Sequence, residues 1–146
     1  MKSPVEKQII GRLEKVDFPD LDLIDIDAKI DTGAYTSALH CHDINETSDG
    51  QLAFKLLDPD HPNYNEKVLL FKQFSKTTVR SSNGTPEMRY KIKSRIRIAQ
   101  RVVMAEFTLT DRRAMKYPVL IGRKLISGRF LVDVKKRFTA TERKLK

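Results

Sequence analysis

An aspartate, a threonine and a glycine stand together at residues 31–33, directly after a short apolar segment. In that segment Ile24 and Ile26 alternate with aspartates, and a period of two is typical of a half-buried strand. Gly33 permits a turn that a residue with a Cβ atom would resist, and it lets another backbone come close. The pattern predicts that Asp31 lies at the tip of this turn, where a rigid strand presents its carboxylate for chemistry.

A second apolar segment, Tyr-Pro-Val-Leu-Ile-Gly-Arg at residues 117–123, also ends with a glycine. In aspartic peptidases, a strand that ends in two apolar residues and a glycine packs beneath the Asp-Thr-Gly loop. The chain therefore resembles the retropepsin-like aspartic peptidases, in residues 31–34 and again in residues 120–123. This resemblance implies an all-β fold, a closed acid-protease barrel. Two-lobed pepsins carry the Asp-Thr-Gly motif twice and this chain carries it once, so it corresponds to a single lobe.

More specifically, the chain is similar to a bacterial family labelled as ATP-dependent zinc proteases. Residues 28–40 match the family motif Ala-Lys-x-Asp-Thr-Gly-Ala-x-Thr-Ser-Ala-Leu-His, and residues 109–112 and 118–123 match a second block. The resemblance covers about residues 8–134, so we predict one domain over the whole chain with a basic tail from residue 135 to residue 146. That family is associated with ATP-grasp ligases that add glutamate or similar residues to proteins, which implies a functional link to such a ligase.

The resemblance implies that Asp31, Thr32 and Gly33 form the catalytic loop of a peptidase or amidase. An isolated carboxylate is a poor base at neutral pH, because it titrates near pH ~4. Two carboxylates within hydrogen-bonding reach share one proton, so one can accept a proton from water while the other polarises a peptide carbonyl. With one motif per chain, this chemistry needs a homodimer that brings Asp31 from each copy to a two-fold axis. Thr32 would link the two loops, and Gly33 would leave room for the substrate backbone.

The hairpin around Asn83 and Gly84 is the predicted flap, a segment that would close over the substrate and exclude water. Both residues tolerate the positive φ angles that a type I′ turn requires. The predicted substrate-binding residues are Ala34, Ser82, Asn83, Gly84, Arg89, Lys91 and Arg123. Structural support of the loop is expected from Ser37, His40, Ile121 and Gly122.

Two positions depart from the retroviral pattern. The second residue after the glycine is usually acidic in retroviral enzymes and pairs with the arginine of the Ile-Gly-Arg triplet, but here it is Tyr35. Arg123 therefore needs another partner, for which Asp111 and Asp133 are candidates. The residue after that arginine is usually Asn or Asp, and here it is Lys124. These departures fit the bacterial family better than the retroviral one.

The zinc label draws attention to His40 and His42, whose spacing of two places both rings on one side of a strand. A third ligand would have to come from His61, Asp43 or another residue, and the sequence has no helical His-Glu-x-x-His motif. The preferred alternative is a packed, hydrogen-bonded His40 near the Asp31 loop, so we expect no cofactor and keep a zinc-dependent hydrolase as a second alternative. The sequence also lacks a Gly-x-x-x-x-Gly-Lys-Ser/Thr loop, so ATP hydrolysis within this chain is not expected.

Five cations alternate with mostly apolar residues along one predicted strand, and we call them the basic strip: Arg89, Lys91, Lys93, Arg95 and Arg97. One interpretation is a platform that steers and binds a glutamate-rich peptide or protein substrate. A second is a catalytically inactive binding module that holds an acidic peptide or nucleic acid on this face. Nucleic acid is disfavoured, because no aromatic residue alternates with the cations on their own face. A third is a solvated edge strand that charge protects from aggregation.

The overall composition favours polyanionic partners, because 28 lysines and arginines against 19 aspartates and glutamates give a formal charge of +9. Cys41 is the single cysteine, which excludes an intrachain disulfide and fits a reducing compartment. No apolar run is long enough to span a bilayer, and the first residues lack the apolar core of a signal peptide. We therefore expect a cytoplasmic protein without a membrane partner.

The elements expected to position these residues are short strands. Apart from the two segments at the loop, strands are predicted at residues 8–16, 37–44, 51–57, 67–74, 77–81, 88–98, 102–110 and 130–134. One helical turn is predicted within residues 122–127, and the tail from residue 135 is expected to fray. Many short strands between turn signals, with almost no helical periodicity, predict an all-β barrel with at most one short helix.

Overall fold

A computed structural model describes residues 7–57, 59–80, 84–111 and 116–138. The strands are β1 Gln8–Ile10, β2 Leu13–Phe18, β3 Leu23–Ile30, β4 Ser37–Glu46, β5 Leu52–Leu56, β6 Val68–Phe71, β7 Ser75–Arg80, β8 Pro86–Ile98, β9 Arg101–Thr110, β10 Val119–Ile121 and β11 Phe130–Val132, and the helical turn is α1 Arg123–Ile126. The prediction of an all-β fold with one short helix is confirmed. Within the described ranges, no helix is long and apolar enough to cross a membrane.

Six strands close into a barrel. They follow each other in the order β10-β3-β2-β8-β9-β4, and β4 pairs with β10 to complete the ring. β5 and β6 continue the sheet from the second half of β4, and β7 pairs with the first half of β8. β1 and β11 form a separate parallel pair, in which Gln8 lies opposite Phe130. The closed barrel confirms the predicted acid-protease type of fold.

The barrel interior is filled by apolar side chains that project from one face of each strand, since alternate residues of a strand point the same way. Phe18 of β2 and Phe107 of β9 are fully buried, and their rings meet edge to face with centroids 5.4 Å apart. Truncation of such a phenylalanine to alanine costs about 3–5 kcal/mol. This ring contact across the barrel interior therefore contributes to its stability.

β3 contains an irregularity that its alternating pattern does not predict. Ile24 is 66% exposed, although Ile26 is fully buried. Asp25 between them has a positive φ of 55°, and its amide donates to the Asp17 carboxylate at 2.8 Å. The register between β2 and β3 shifts at this point, so the half-buried pattern holds from Ile26 onward and is wrong for Ile24. The residues of β3 that face the core are Leu23, Ile26, Ala28 and Ile30.

The hairpin predicted as the flap is present as an antiparallel pair of β7 and β8, and part of its predicted type I′ turn lies outside the described residues. β7 and β8 pair as far as Arg80 and Pro86, so residues 81–85 connect them. Gly84 has a positive φ of 81°, as its predicted role in a turn requires. The predicted binding residues Ser82 and Asn83 lie outside the described residues.

A tight two-residue turn lies between β8 and β9. Ala99 and Gln100 have positive φ angles of 52° and 68°. The residues on either side, Ile98 and Arg101, pair directly with each other. Neither alanine nor glutamine is a usual choice for positive φ, so residue types offer no signal for this turn.

The first half of β8 extends beyond the barrel as a two-stranded ribbon with β7. The pairing of β8 with β9 begins at Lys91, whereas the residues before it pair with β7. The alternating pattern places Met88 on the apolar face, but Met88 is 51% exposed in this ribbon, whereas Tyr90 on the same face packs against the core. β8 also pairs with β2, β7 and β9, so the prediction that it is an edge strand is wrong.

Residues 135–138 of the tail pack against the barrel, so the prediction that the tail frays there is wrong. The Arg12 amide donates to the Lys136 carbonyl at 2.7 Å. A Cβ atom on Gly11 would lie only 2.4 Å from the same carbonyl oxygen, so this glycine permits the close approach of the tail. The single strand predicted at the start of the chain is split at this contact into β1 and β2. Residues 139–146 lie outside the described residues.

Candidate active site

Three strands meet beneath the Asp-Thr-Gly loop and fix its position. β10 lies between β3, with which it pairs in parallel, and the start of β4, with which it pairs antiparallel. Where β3 ends, the Asp31 amide donates to the Ile121 carbonyl of β10 at 2.8 Å. The two sequence segments that resemble an aspartic-peptidase site are therefore adjacent in the fold, and the loop has a hydrogen-bonded base.

The loop holds the Asp31 carboxylate with its own backbone. The Gly33 amide donates to Oδ1 of Asp31 at 3.0 Å, and the Ala34 amide donates to the Asp31 carbonyl at 3.2 Å. A Cβ atom on Gly33 would lie 3.3 Å from the same Oδ1 atom, which is a tight contact. Asp31 is half-buried, whereas Thr32 and Gly33 are exposed. The carboxylate is thus fixed at the rim of the barrel, and the next two residues are accessible.

Gly122 is the point of closest backbone contact between the two segments. A Cβ atom there would lie 2.6 Å from the Thr36 carbonyl oxygen and 2.7 Å from the Tyr35 carbonyl oxygen, which is closer than real Cβ atoms approach. The Gly122 amide donates to the Ser37 hydroxyl at 3.0 Å, and this bond is buried. Ser37 therefore supports the site through the Gly122 segment.

Arg123 connects the helical turn α1 to the Asp-Thr-Gly loop. Its guanidinium donates to the Thr32 carbonyl at 3.0 Å. It also lies over the Tyr35 ring, 5.8 Å from the centroid, a cation–π geometry. The sequence suggests Asp111 or Asp133 as the partner of Arg123, but the contacts that the structure gives its guanidinium are the Thr32 carbonyl and the Tyr35 ring. The tyrosine thus stands where retroviral enzymes have the acidic partner.

An open cavity of about 640 Å³ lies beside the loop. Its lining residues are Thr32, Tyr35, Arg123, Lys124, Ile126 and Ser127. Tyr35 is 59% exposed, so a large ring at the edge of this cavity faces solvent in a single copy of the chain.

His40 and His42 are buried in β4. The His40 amide donates to the Pro118 carbonyl at 2.8 Å, which links β4 to the segment before β10. Nδ1 of His42 lies 2.9 Å from the Leu57 carbonyl oxygen and Nε2 lies 3.2 Å from the Tyr64 hydroxyl, so both ring nitrogens have protein partners. Among the described residues, no three His, Cys, Asp or Glu side chains form a group that could bind a metal. The residues present therefore do not fit a zinc site at these histidines.

Most of the basic strip is paired with acidic residues of the same chain. The ion pairs are Arg89 with Glu87, Lys91 with Glu106, Arg95 with Asp20 and Arg97 with Asp17. Lys93 differs, because it is exposed and has no ion pair within the part of the chain that the structure describes. The strip as a whole is therefore not a row of five free cations, and the interpretation of it as a uniform platform is weakened.

Glu106 of β9 is a residue of this region that the motifs do not reveal. It accepts hydrogen bonds from Lys124 and Lys91, the latter at 2.8 Å. The Lys124 ammonium group, followed by that of Lys91, lowers the pKa of the Glu106 carboxyl to about 2. In the register of β8 and β9 it also lies opposite Lys93. Cross-strand pairing is the signal that could have found it, since a hairpin of these two strands must place Glu106 among the cations.

The closed barrel and its loop define the class of protein: a single-lobe, retropepsin-like fold. The sequence profile described as "RimB-like: Retropepsin-like aspartic endopeptidase RimB" matches residues 9–143. The chain therefore belongs to the RimB-like family. The zinc-protease label that the motifs suggest is not part of this description, so the retropepsin-like assignment stands and the zinc label has no support here.

The similar proteins differ in length. A protein of Shewanella pealeana named "Probable alpha-L-glutamate ligase" is 35% identical over 144 residues, which is 94% of this chain and 31% of that protein. One of the same name from Desulfotalea psychrophila is 30% identical over 91% of this chain and 29% of its own length. The chain thus spans about a third of these curated relatives. The crystal structure of a Legionella pneumophila protein of unknown function has a TM-score of 0.62 and 24% identity, and the match covers 92% of this chain and 99% of that chain.

We predict that Gly122→Ala strongly destabilises the fold. The added Cβ atom would overlap the backbone of residues 35 and 36, which cannot move without displacing β4 or the loop. We expect the free energy of unfolding to fall by about 3 kcal/mol or more, the upper end of the usual cost of overpacking. Urea denaturation measures the change. Ser127→Ala, an exposed substitution just after α1, is the control and should change the stability by less than about 0.5 kcal/mol. Equal stability of Gly122→Ala and wild type would contradict the close contact.

Glu106→Gln should remove a pH-dependent part of the stability. The pKa of Glu106 is about 2 in the folded state, below its usual value of 4.5, so folding favours the charged form. This contribution is complete above about pH 4.5 and is lost as the pH falls to about 2. Wild type should therefore exceed Glu106→Gln in free energy of unfolding at neutral pH, and the two should converge near the acid end. Urea titrations at several pH values measure this gap. A gap that is constant with pH would contradict the ion pairs with Lys91 and Lys124.

Proposed function

We propose that this protein is a peptidase or amidase of the aspartic type, in which Asp31 activates the attacking water. The observation that supports this most is the hydrogen bond from the Gly33 amide to Oδ1 of Asp31, in a loop that rests on β10. In this proposal the backbone orients the carboxyl group through Oδ1, and Oδ2 faces the water. The family description, which names an aspartic endopeptidase, supports the same function.

The active form in this proposal is a homodimer with one Asp31 from each copy. The two carboxyl groups share one proton, because two charges at such close range are costly. The ionised group accepts a proton from water as the water oxygen attacks the peptide carbonyl carbon, and the protonated group donates its proton to the carbonyl oxygen. The carbon–nitrogen bond then breaks as the nitrogen receives a proton from the dyad and a diol oxygen returns one to it. The dyad ends with the single proton with which it began.

The exposure of three loop residues supports a second copy at this place. Thr32 and Gly33 are exposed at its tip, where bonds across a two-fold axis would form. Tyr35 is also exposed, as a large ring that contact with a second chain would cover. A closed homodimer would use the same surface on both copies, so the two Asp31 loops would meet at the axis.

The proposed substrate is a peptide or protein rich in glutamate. The curated relatives carry the name of alpha-L-glutamate ligases, and this chain corresponds to about a third of each. A domain of this kind is therefore joined to the remaining two thirds of a ligase-named protein. We infer that this chain hydrolyses what such a ligase makes, with a functional link to an ATP-grasp ligase. The formal charge of +9 favours an acidic substrate as well.

The proposed reaction uses no metal ion. Both ring nitrogens of His42 are occupied by protein partners, and His40 belongs to the packed base of the site. A zinc-dependent hydrolase that used His42 would need its ring to leave these contacts. A catalytically inactive binding module remains the other candidate class, and the substitution of Asp31 separates it from the enzyme.

Asp31→Asn should reduce hydrolysis of a glutamate-rich peptide by at least about 10³-fold, because it removes an acid–base group. The asparagine keeps an oxygen that can accept from the Gly33 amide, so the loop should keep its shape. Mass spectrometry of the peptide products measures the rate, and circular dichroism melts check the fold. Asp60→Asn, at an exposed aspartate outside the site, is the control and should be fully active.

The other outcomes of this experiment would point to the competing functions. Activity that survives Asp31→Asn but is lost with a chelator would contradict the proposal and favour a zinc hydrolase. Binding of the peptide by both proteins, without cleavage by either, would favour the inactive binding module.

Asp31→Asn should also inhibit the wild-type protein when the two are mixed. Subunit exchange would form mixed dimers that have a single aspartate, so at equal amounts the wild-type activity should fall to about half. The assay follows peptide cleavage after incubation of wild type with increasing amounts of the variant, and albumin serves as the inert control. A solution mass from light scattering establishes the dimer independently. Unchanged wild-type activity in a large excess of the variant would show that one copy acts alone.

A further inference from the structure

We propose that an open cleft on the outer face of β8 and β9 binds the glutamate side chains of the substrate, and that Lys93 selects for their carboxylates. This inference rests on the proposed function and locates the specificity for acidic substrates on the surface of the chain. We call this region the β8–β9 cleft.

The β8–β9 cleft consists of two adjoining cavities of about 210 and 670 Å³. Lys93 and Glu106 line both, so the cavities meet at this pair of opposed residues. The other charged residues of the lining are Lys72, Lys91, Lys124 and Arg129. Phe71 and Phe74 add an apolar wall on one side, against which the methylene groups of glutamate side chains can pack.

The charge of the cleft is strongly unbalanced. Five cations face one carboxylate, which leaves four positive charges. Glu106 is shared by Lys91 and Lys124, and each of these ammonium groups has further N–H donors. Lys93, a member of the basic strip, has no ion pair among the described residues. It can therefore bind a substrate carboxylate without breaking an existing ion pair. Glu106 in this arrangement is a positioning residue that holds two lysines at the edges of the cleft.

The cleft and the cavity beside the Asp31 loop have one lining residue in common. Lys124 lines the smaller cavity of the cleft and also the cavity beside the Asp31 loop. A substrate that places one peptide bond at Asp31 can therefore extend past Lys124 toward Lys93. An extended peptide advances ~3.3 Å per residue, so acidic side chains several residues from the cleaved bond would reach the cleft.

The test measures peptide binding in the Asp31→Asn background, which separates binding from hydrolysis. Fluorescence anisotropy gives the Kd of a labelled hexaglutamate peptide and of the matching hexaglutamine peptide. Lys93→Gln should weaken hexaglutamate binding by about fivefold, the upper end for an exposed ion pair, and should leave hexaglutamine binding unchanged. Lys135→Gln makes the same change of charge at an exposed position of the tail and should affect neither peptide.

A kinetic measurement with Asp31 intact gives a second test. Lys93→Gln should raise KM for a glutamate-rich peptide and leave kcat unchanged, because Lys93 contacts the substrate away from the reacting bond. A short single-stranded oligonucleotide of equal charge competes with the peptide in a parallel titration and should displace it poorly.

Three results would overturn the assignment. Lys93→Gln could bind hexaglutamate as tightly as its parent, Lys135→Gln could weaken binding equally, or the oligonucleotide could bind more tightly than the peptide. The first two would leave the proposed function intact, provided that Asp31→Asn still abolishes cleavage. Loss of the proposed function would appear instead as an absence of cleavage by the wild type, whatever the binding result.

Discussion

The insertion of β10 between β3 and β4 is the constraint on which the rest of the structure depends. β10 is short, yet its pairing with β4 closes the ring of six strands and its pairing with β3 provides the base of the Asp-Thr-Gly loop. The pairing of β10 therefore both closes the barrel and positions Asp31. Gly122 makes it possible, because any larger residue would force apart the backbones that cross there.

Strand pairing, more than composition, determines which charges of the protein remain unpaired. An outward cation on a strand in a sheet has neighbours across each pairing, and these can be acids. Arg95 and Arg97 meet aspartates at the end of β2 and just beyond it, and Lys91 meets Glu106 of β9. Lys93 is the member of the basic strip that has no ion pair among the described residues, and it lines one cavity together with Lys124. The sequence alone therefore overestimates how many cations of such a row are available to bind a ligand, because it does not show their cross-strand partners.

The sequence was sufficient for the fold class and for the loop, because both depend on local patterns. Period-two alternation predicts the strands, and the resemblance in the loop and Gly122 segments predicts that they lie together. The sequence was not sufficient to predict the contacts between segments that are far apart in the chain. Ala99 and Gln100 form a tight turn because β8 and β9 pair on either side of it, and Gly11 is needed because the tail returns to the same place. Neither effect has a signal in the residues themselves. The position of Glu106 could be predicted in part. The predicted hairpin places it opposite Lys93, but the sequence does not reveal its bond to Lys124.

The helical turn α1 joins the two regions that the proposals describe. Arg123 at its first position bonds to the Thr32 carbonyl, and Lys124 beside it bonds to Glu106 at the edge of the β8–β9 cleft. Both residues follow directly after Gly122, so the backbone contact that closes the barrel also sets their positions. If both proposals hold, this one short segment positions a lysine at the edge of the substrate cleft and an arginine on the loop that carries Asp31.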